Sequence, residues 1–383
     1  MTSLYALVLL GSPSDAQVKE LGQLVSQAVQ PFGLNLGREI AWSVCPESFK
    51  VDQQKTIAAV FFGGRDAPQT NLQDLLRDAV PVLPVVSDLK EASKEIPEVL
   101  RSYNYLSYND GGAQRIATAL LECVGLLPRQ RRIFLSYRRD EARKAALQLF
   151  DALSSRLFDV FLDTHGVAPA ENFQEILWHQ LCDSDVLVML NTPNYFESRW
   201  TSAEFGRALA KNISVLCVGW PETTSSERTA TAIHERLLPE EITGTGQLVA
   251  EAITRICSRL EIVRSQSRAL HNRNLISNLQ CEVERIGGGV TGFGPKNAMY
   301  IRLPNNENLV IYPTMGVPTS TNLHDAAMNT PADSVAVVYD HVGLNPTWVA
   351  HLDWLGRHIK PPEKKVGFIK ATEAAWQLAD WGN

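Results

Sequence analysis

At 383 residues the chain is long enough for two or three domains with cores of their own. Its hydrophobic share of 45% is that of an ordinary globular protein. No apolar run reaches the ~18 residues that span a bilayer, and the opening MTSLYALVLLGSPSD lacks the basic start of a signal peptide. A formal net charge of −6 argues against nucleic acid as a partner, and six scattered cysteines without a C-x-x-C pair fit a reduced cytoplasm better than a disulfide framework. The eight histidines do not cluster at metal-ligand spacings: His351 and His358 share an expected helix, but with no Cys or acidic partner in register, so no metal is expected.

From the N-terminus, Leu4 to Leu10 reads as a strand, Ala16 to Val29 as a helix and Ile57 to Phe62 as a second strand ending in Gly63-Gly64. Val80 to Val86 is a third strand whose two prolines suggest an edge or irregular position, and Ala113 to Leu126 is a closing helix. The turn Gly11-Ser12-Pro13-Ser14-Asp15 lacks both nucleotide-binding glycine patterns, so a strand-to-helix turn with Ser and Asp caps is favoured over a phosphate cradle. Residues 1–128 are therefore expected to be an α/β domain, Rossmann-like or a degenerate copy of the sheet that follows, with a regulatory or assembly role. Pro128 to Arg132 reads as an exposed connector.

The next stretch alternates more regularly. Ile133-Phe134-Leu135 is a short run closed by Ser136, and a helix follows with Ala145, Leu149, Ala152, Leu153 and Leu157 on one face. Val160-Phe161-Leu162 is a strand; Phe173, Ile176, Leu177 and Leu181 are spaced for a helix; Val186 to Leu190 is a buried strand. A helix opens at Ser198, a fitting cap, and runs to Lys211, with Trp200 and Glu204 four apart on one face. Ile213 to Val218 is another buried strand and Gln247 to Leu260 a helix. Strand–helix alternation of this kind builds a parallel sheet covered on both faces, with its ligand crevice beyond the carboxyl ends of the strands.

The polar residues gather at those ends: Ser136 to Asp140, Asp163 to Gly166, and Asn191 to Asn194. FLSYRRD, the VFLD strand with its Gly/Pro loop, CDSDVLVML and the W-x-x-x-E helix together resemble a Toll/interleukin-1 receptor (TIR) domain of the bacterial type, over roughly residues 131–220. The resemblance implies a flavodoxin-like sheet domain, placed at 129–262. It also implies hydrolysis or cyclisation of NAD, with NAD as substrate and no other cofactor. It further implies activation by TIR–TIR self-assembly through the loop His165 to Asn172, where many family members are more acidic than this chain, and a cytoplasmic place in anti-phage defence. The family's catalytic glutamate carries over to Glu204. A non-catalytic TIR scaffold is the alternative, because one fold serves both uses.

Several residues near the crevice have two readings each. Phe134 and Tyr137 can stack on a base or nicotinamide ring, although core packing is the stronger reading for Phe134, which lies in the strand itself. Arg138 or Arg139 can pair with a pyrophosphate or stand as solvated strand-end charges. Asp163 can orient its loop, and Trp200 can face the ligand or, as favoured here, anchor its helix in the core. For Glu204 the helix dipole alone is a sufficient structural reason, and the surrounding TIR-like pattern tips the reading toward catalysis.

The remainder, 263–383, resembles no family and reads as a third α/β domain that senses a ligand or partner. It holds a helix from Leu270 to Ile286, the break Gly287-Gly288-Gly289 read as a flexible loop, and a hairpin of Met299–Leu303 with Leu309–Tyr312. After these come a strand Val335–Tyr339, a helix Pro346–His358, a strand Lys365–Ile369 and a closing helix Ala371–Trp381.

Overall fold

The structure, a computed structural model, describes residues 3–52, 55–109, 112–162, 173–223, 226–330, 332–358 and 364–381. The chain forms two compact units, Met1–Arg129 with Gly294–Asn297, and Gln130–Phe293 with Ala298–Asn383. Among the described residues no helix is long and apolar enough to cross a membrane.

The first unit runs β1 (Tyr5–Gly11), α1 (Asp15–Val29), β2 (Ile40–Val44), β3 (Thr56–Phe62), α2 (Leu72–Arg77), β4 (Val82–Val86), α3 (Ala92–Glu95), β5 (Leu106–Ser107) and α4 (Gly112–Cys123). All its strand pairs are parallel, in the order β2-β1-β3-β4-β5, and β1 is buried along its whole length, as a strand covered on both faces must be. Ser14 caps α1 with a reciprocal bond from Gln17, so the glycine-serine turn is a strand-to-helix junction. The prolines do not put β4 at an edge: it lies between β3 and β5. Pro84 is tolerated because β5 pairs only with Val85 and Val86, leaving no ladder bond for a Pro84 N–H to make. β2 escaped the sequence reading because its short run, IAWSV, is only partly buried beyond Ile40.

The second unit begins with β6 (Arg132–Tyr137), α5 (Arg139–Ser154), β7 (Asp159–Leu162), α6 (Phe173–Cys182), β8 (Val186–Asn191), α7 (Arg199–Ala210), β9 (Ser214–Gly219), β10 (Ile233–Arg236) and the 36-residue α8 (Ala250–Arg285). Its all-parallel sheet has the order β10-β9-β8-β6-β7. Counted in chain order within each unit, both sheets read 2-1-3-4-5, the flavodoxin-like doubly wound arrangement rather than the 3-2-1 start of a dinucleotide-binding sheet. Ser136 does not close β6 but continues it, with Tyr137, for two more residues. Leu157 is not on the face of α5; it lies beyond the helix with φ 64° and is exposed.

α8 departs most from expectation. The sequence suggests two helices and a division at 262/263, but that division falls inside one continuous helix. Its first half packs Ala252, Ile256, Leu260 and Val263 on the parallel sheet. Its second half packs Leu275, Leu279 and Val283 on a third sheet. Between them a polar stripe is buried. Arg264 Nε lies 2.6 Å from Asp185 Oδ2 and Arg268 Nη1 3.0 Å from Asp185 Oδ1, while Ser267 donates to the Asp185 carbonyl at 2.8 Å. Arg131 makes a two-pronged bond to Glu261, both contacts at 2.7 Å.

The third sheet holds β11 (Gly289–Phe293), β12 (Met299–Arg302), β13 (Asn308–Thr314), α9 (Ser320–Asn329), β14 (Ser334–Tyr339), α10 (Pro346–His358), β15 (Lys365–Lys370) and α11 (Ala374–Ala379). β11, β12 and β13 are antiparallel and β13, β14 and β15 parallel. The triple glycine is a built turn, not a loose loop. Gly287 takes φ 84° to end α8, a Cβ on Gly288 would stand 2.8 Å from the Arg302 carbonyl oxygen, and Gly289 already opens β11.

The Asp185 cluster gives the first test. Asp185→Ala leaves two buried guanidinium groups without their carboxylate and is expected to lower stability by about 3–5 kcal/mol. The shift of the denaturant midpoint measures it; a change under 1 kcal/mol would mean that the cluster does not hold the helix.

Candidate active site

Strand pleating builds the floor of the cleft. On β6 the side chains of Ile133, Leu135 and Tyr137 enter one core, under α5 and α8, and Phe134 enters the other, under α6 and α7. Ser136, two residues past Phe134, points to that second side, where α7 begins. Ser198 caps α7, accepting from the Thr201 N–H at 3.5 Å, and Thr201 also donates its hydroxyl to the Tyr195 carbonyl. The helix buries Thr201, Glu204, Phe205 and Ala208 as one face. Glu204 thus meets Ser136 from above.

Glu204 is 5% exposed, and its Oε2 accepts a hydrogen bond from the Ser136 hydroxyl. Ser136 Oγ lies 2.6 Å from the Tyr195 hydroxyl, which is fully buried. Ser136 has one proton, and with it given to the carboxylate, Tyr195 is the donor to Ser136. Burial, reinforced by the Glu204 charge, holds the Tyr195 phenol well above its ordinary range, so it stays protonated and a donor. Burial likewise pushes the nearby Cys217 thiol up to about 11 and keeps it neutral.

Above this chain opens a cleft of about 450 Å³ at the carboxyl end of β6, lined among others by Ser136, Tyr137, Arg139, Trp200 and Glu204. Arg138 also lines it but is engaged, donating to the Asn194 carbonyl at 2.8 Å and to Glu197 at 3.0 Å, which ties β6 to the loop after β8. Arg139 is exposed at the rim, at the first position of α5. Phe134 does not line the cleft; it is 1% exposed and stacks on Phe161 at 5.2 Å. Trp200 is not a core anchor. It is 38% exposed on the cleft side, with the Arg199 guanidinium 4.7 Å from its ring centroid, because the buried face of α7 begins with Thr201. Asp163 and the loop His165 to Asn172 lie outside the described residues. Tyr195 escaped the sequence reading; its signal was an aromatic hydroxyl in the strand-end loop just before the Ser198 cap.

The TIR domain family profile matches residues 133–240, the span that contains this cleft. Residues 133–240 are a TIR domain, carried on the flavodoxin-like parallel sheet just described. No curated protein matches the chain. Three solved structures have some likeness to it. One is a probable two-component system response regulator/GGDEF domain protein, 10% identical over 62% of this chain and 93% of that one, with a TM-score of 0.27. Another is tagatose-6-phosphate ketose/aldose isomerase from Escherichia coli, 12% identical over 77% and 84%, TM-score 0.20. The third is a PurR family transcriptional regulator from Vibrio parahaemolyticus, 14% identical over 67% and 92%, TM-score 0.19. At these TM-scores the likenesses carry no argument.

The hydroxyl chain predicts its own energetics. Ser136→Ala leaves a buried phenol without its acceptor and is expected to cost about 1–3 kcal/mol. Combined with Tyr195→Phe, the loss should fall short of the sum by about 0.5 kcal/mol or more, since both substitutions break one network. Additive unfolding energies would show that the two hydroxyls are not coupled.

Proposed function

We propose that the TIR domain cleaves the nicotinamide–ribose bond of NAD, releasing nicotinamide and an ADP-ribose product. The observation that carries this reading is a buried carboxylate, Glu204, held by a hydroxyl at the floor of a cleft at the strand ends. Nicotinamide leaves from a nitrogen that is already cationic, so the reaction needs no strong general acid. The barrier lies in the oxocarbenium-like charge that grows on the ribose, and a fixed carboxylate beside the sugar stabilises that charge and holds its hydroxyls. Ser136 acts as a positioning residue: its hydroxyl fixes the carboxylate and Tyr195 fixes the hydroxyl.

The exposed Arg139 at the rim is the group suited to the pyrophosphate. Trp200, open to the cleft, offers a ring face to the nicotinamide or the adenine. The bacterial TIR resemblance supports self-assembly as the condition for activity and anti-phage defence as its setting.

Nicotinamide release from NAD by the purified chain, at rising protein concentration, tests the reading. Glu204→Gln keeps shape and removes charge, and is expected to lower the rate on the order of 100-fold or more. Ser136→Ala should slow it less, chiefly through kcat. Equal rates in wild type and Glu204→Gln, or no turnover at any concentration, would sink the proposal in favour of a scaffold acting through TIR–TIR contacts.

A further inference from the structure

A second cavity, of about 550 Å³, opens in the same unit. It shares no lining residue with the Glu204 cleft. It sits at the carboxyl ends of β14 and β15, where Asp340 and Thr372 follow the strands, and is bordered from the other side by α6, the C-terminal end of α7 and the second half of α8. Both its size and its place are those of a small-molecule site in a parallel sheet.

Its charges are nearly all matched. Lys211 Nζ is 2.6 Å from Asp340 Oδ2, and Glu282 is held by Arg285. Burial, with the Arg268 charge behind it, pulls the His271 imidazole down to about 4, so it is neutral at ordinary pH. That leaves Arg207. Its guanidinium lies over the Trp178 ring at 3.7 Å, and among the described residues it has no carboxylate partner.

Three polar side chains of α8 face the cavity without a protein partner among the described residues. His271, Asn274 and Asn278 recur at the three- and four-residue spacing of one helix face, and all three line the cavity. Among the described residues no protein group bonds their side chains. Primary amides carry a donor and an acceptor side by side, the pattern that reads the edge of a purine. His271 and Asn274 are half-buried and Asn278 is exposed at the mouth, so this face meets a ligand entering from solvent with its polar groups free to bond. Apolar walls from Leu181, Leu275 and Val342 complete a slot for a planar ring.

We propose that this cavity binds a purine nucleoside monophosphate, its base against Asn274 and Asn278 and its phosphate on Arg207. One unmatched positive charge beside an amide-lined slot suits one anionic group on a heteroaromatic nucleoside. The site is independent of the Glu204 cleft, and its occupation does not require that cleft to turn over NAD.

Isothermal titration calorimetry on the full chain, with adenosine 5′-monophosphate, adenosine and inorganic phosphate as separate titrants, decides it. The monophosphate is expected to bind, adenosine to bind at least about tenfold more weakly for want of the charge-assisted bond, and inorganic phosphate alone not to bind. Arg207→Ala should bring the monophosphate down to the level of adenosine, and Asn274→Leu should weaken both. Ala210→Trp, which fills the cavity from an exposed position on α7, should abolish both. Glu204→Gln should leave the monophosphate affinity unchanged. No heat with the monophosphate, an affinity indifferent to Arg207→Ala, or binding lost in Glu204→Gln would overturn the proposal, and the last would move the nucleotide to the other cleft. Because the readout is binding, a failure here and a failure of NAD turnover are separate results.

Discussion

The carboxylate of Asp185 is the point through which the second unit is tied together. It stands at the start of β8, the middle strand of the TIR sheet, and holds two arginines of α8 in a region from which water is largely excluded. Arg264 is wholly buried and also reaches the Gln130 carbonyl at 3.2 Å, so the same group fixes the entry to β6. Arg268 reaches on to the Met315 carbonyl in the third sheet's domain, and Asp183, two residues before Asp185, accepts from the Val317 N–H at 2.8 Å. A buried ion cluster is a poor source of net stability, but it is intolerant of displacement, because any shift leaves a charge without its partner. It therefore specifies where α8 crosses the sheet more strictly than an apolar seam would.

The cleft depends on that placement at one remove. β6 and β8 are neighbours, and the pleat of β6 carries Ser136 to the α7 side only while the register holds. A slip of one residue would bring Leu135 or Tyr137 to the position of Ser136 and take the Ser136 hydroxyl away from Glu204. The chemistry of the floor is thus set by strand parity, and the rim, with Arg139 and Trp200, by the starts of two helices.

Much of this was legible in the residues, and the misses have physical causes. The parallel strands announced themselves as unbroken apolar runs, and α7 as a cap followed by a periodic face. Glu204 is singled out only by the resemblance of the W-x-x-x-E helix to the TIR pattern; by residue type and position alone it reads as structural. A lone serine after IFL carries no sign of which side it will face, so in the sequence Ser136 reads as a strand terminator. The mid-section of α8 misled for the opposite reason: Glu261, Arg264, Ser267 and Arg268 look like a solvated linker in one dimension, and only the partners at Asp185 and Arg131, far away in sequence, make them interior. Trp200 reads as core by its type, a large aromatic, but it precedes Thr201, the first residue of the buried face, and so stands to one side of that face.

α7 is short, about 18 Å at the usual rise of 1.5 Å per residue, yet it borders two cavities. Glu204 reaches down into one cavity, and Arg207 and Lys211 border the other, with the Lys211 bond to Asp340 as its tether. Glu204 and Arg207 are three apart on this helix, so one short element serves two separate walls: its buried face supplies a carboxylate to one cleft and its exposed last turn a cation to the other.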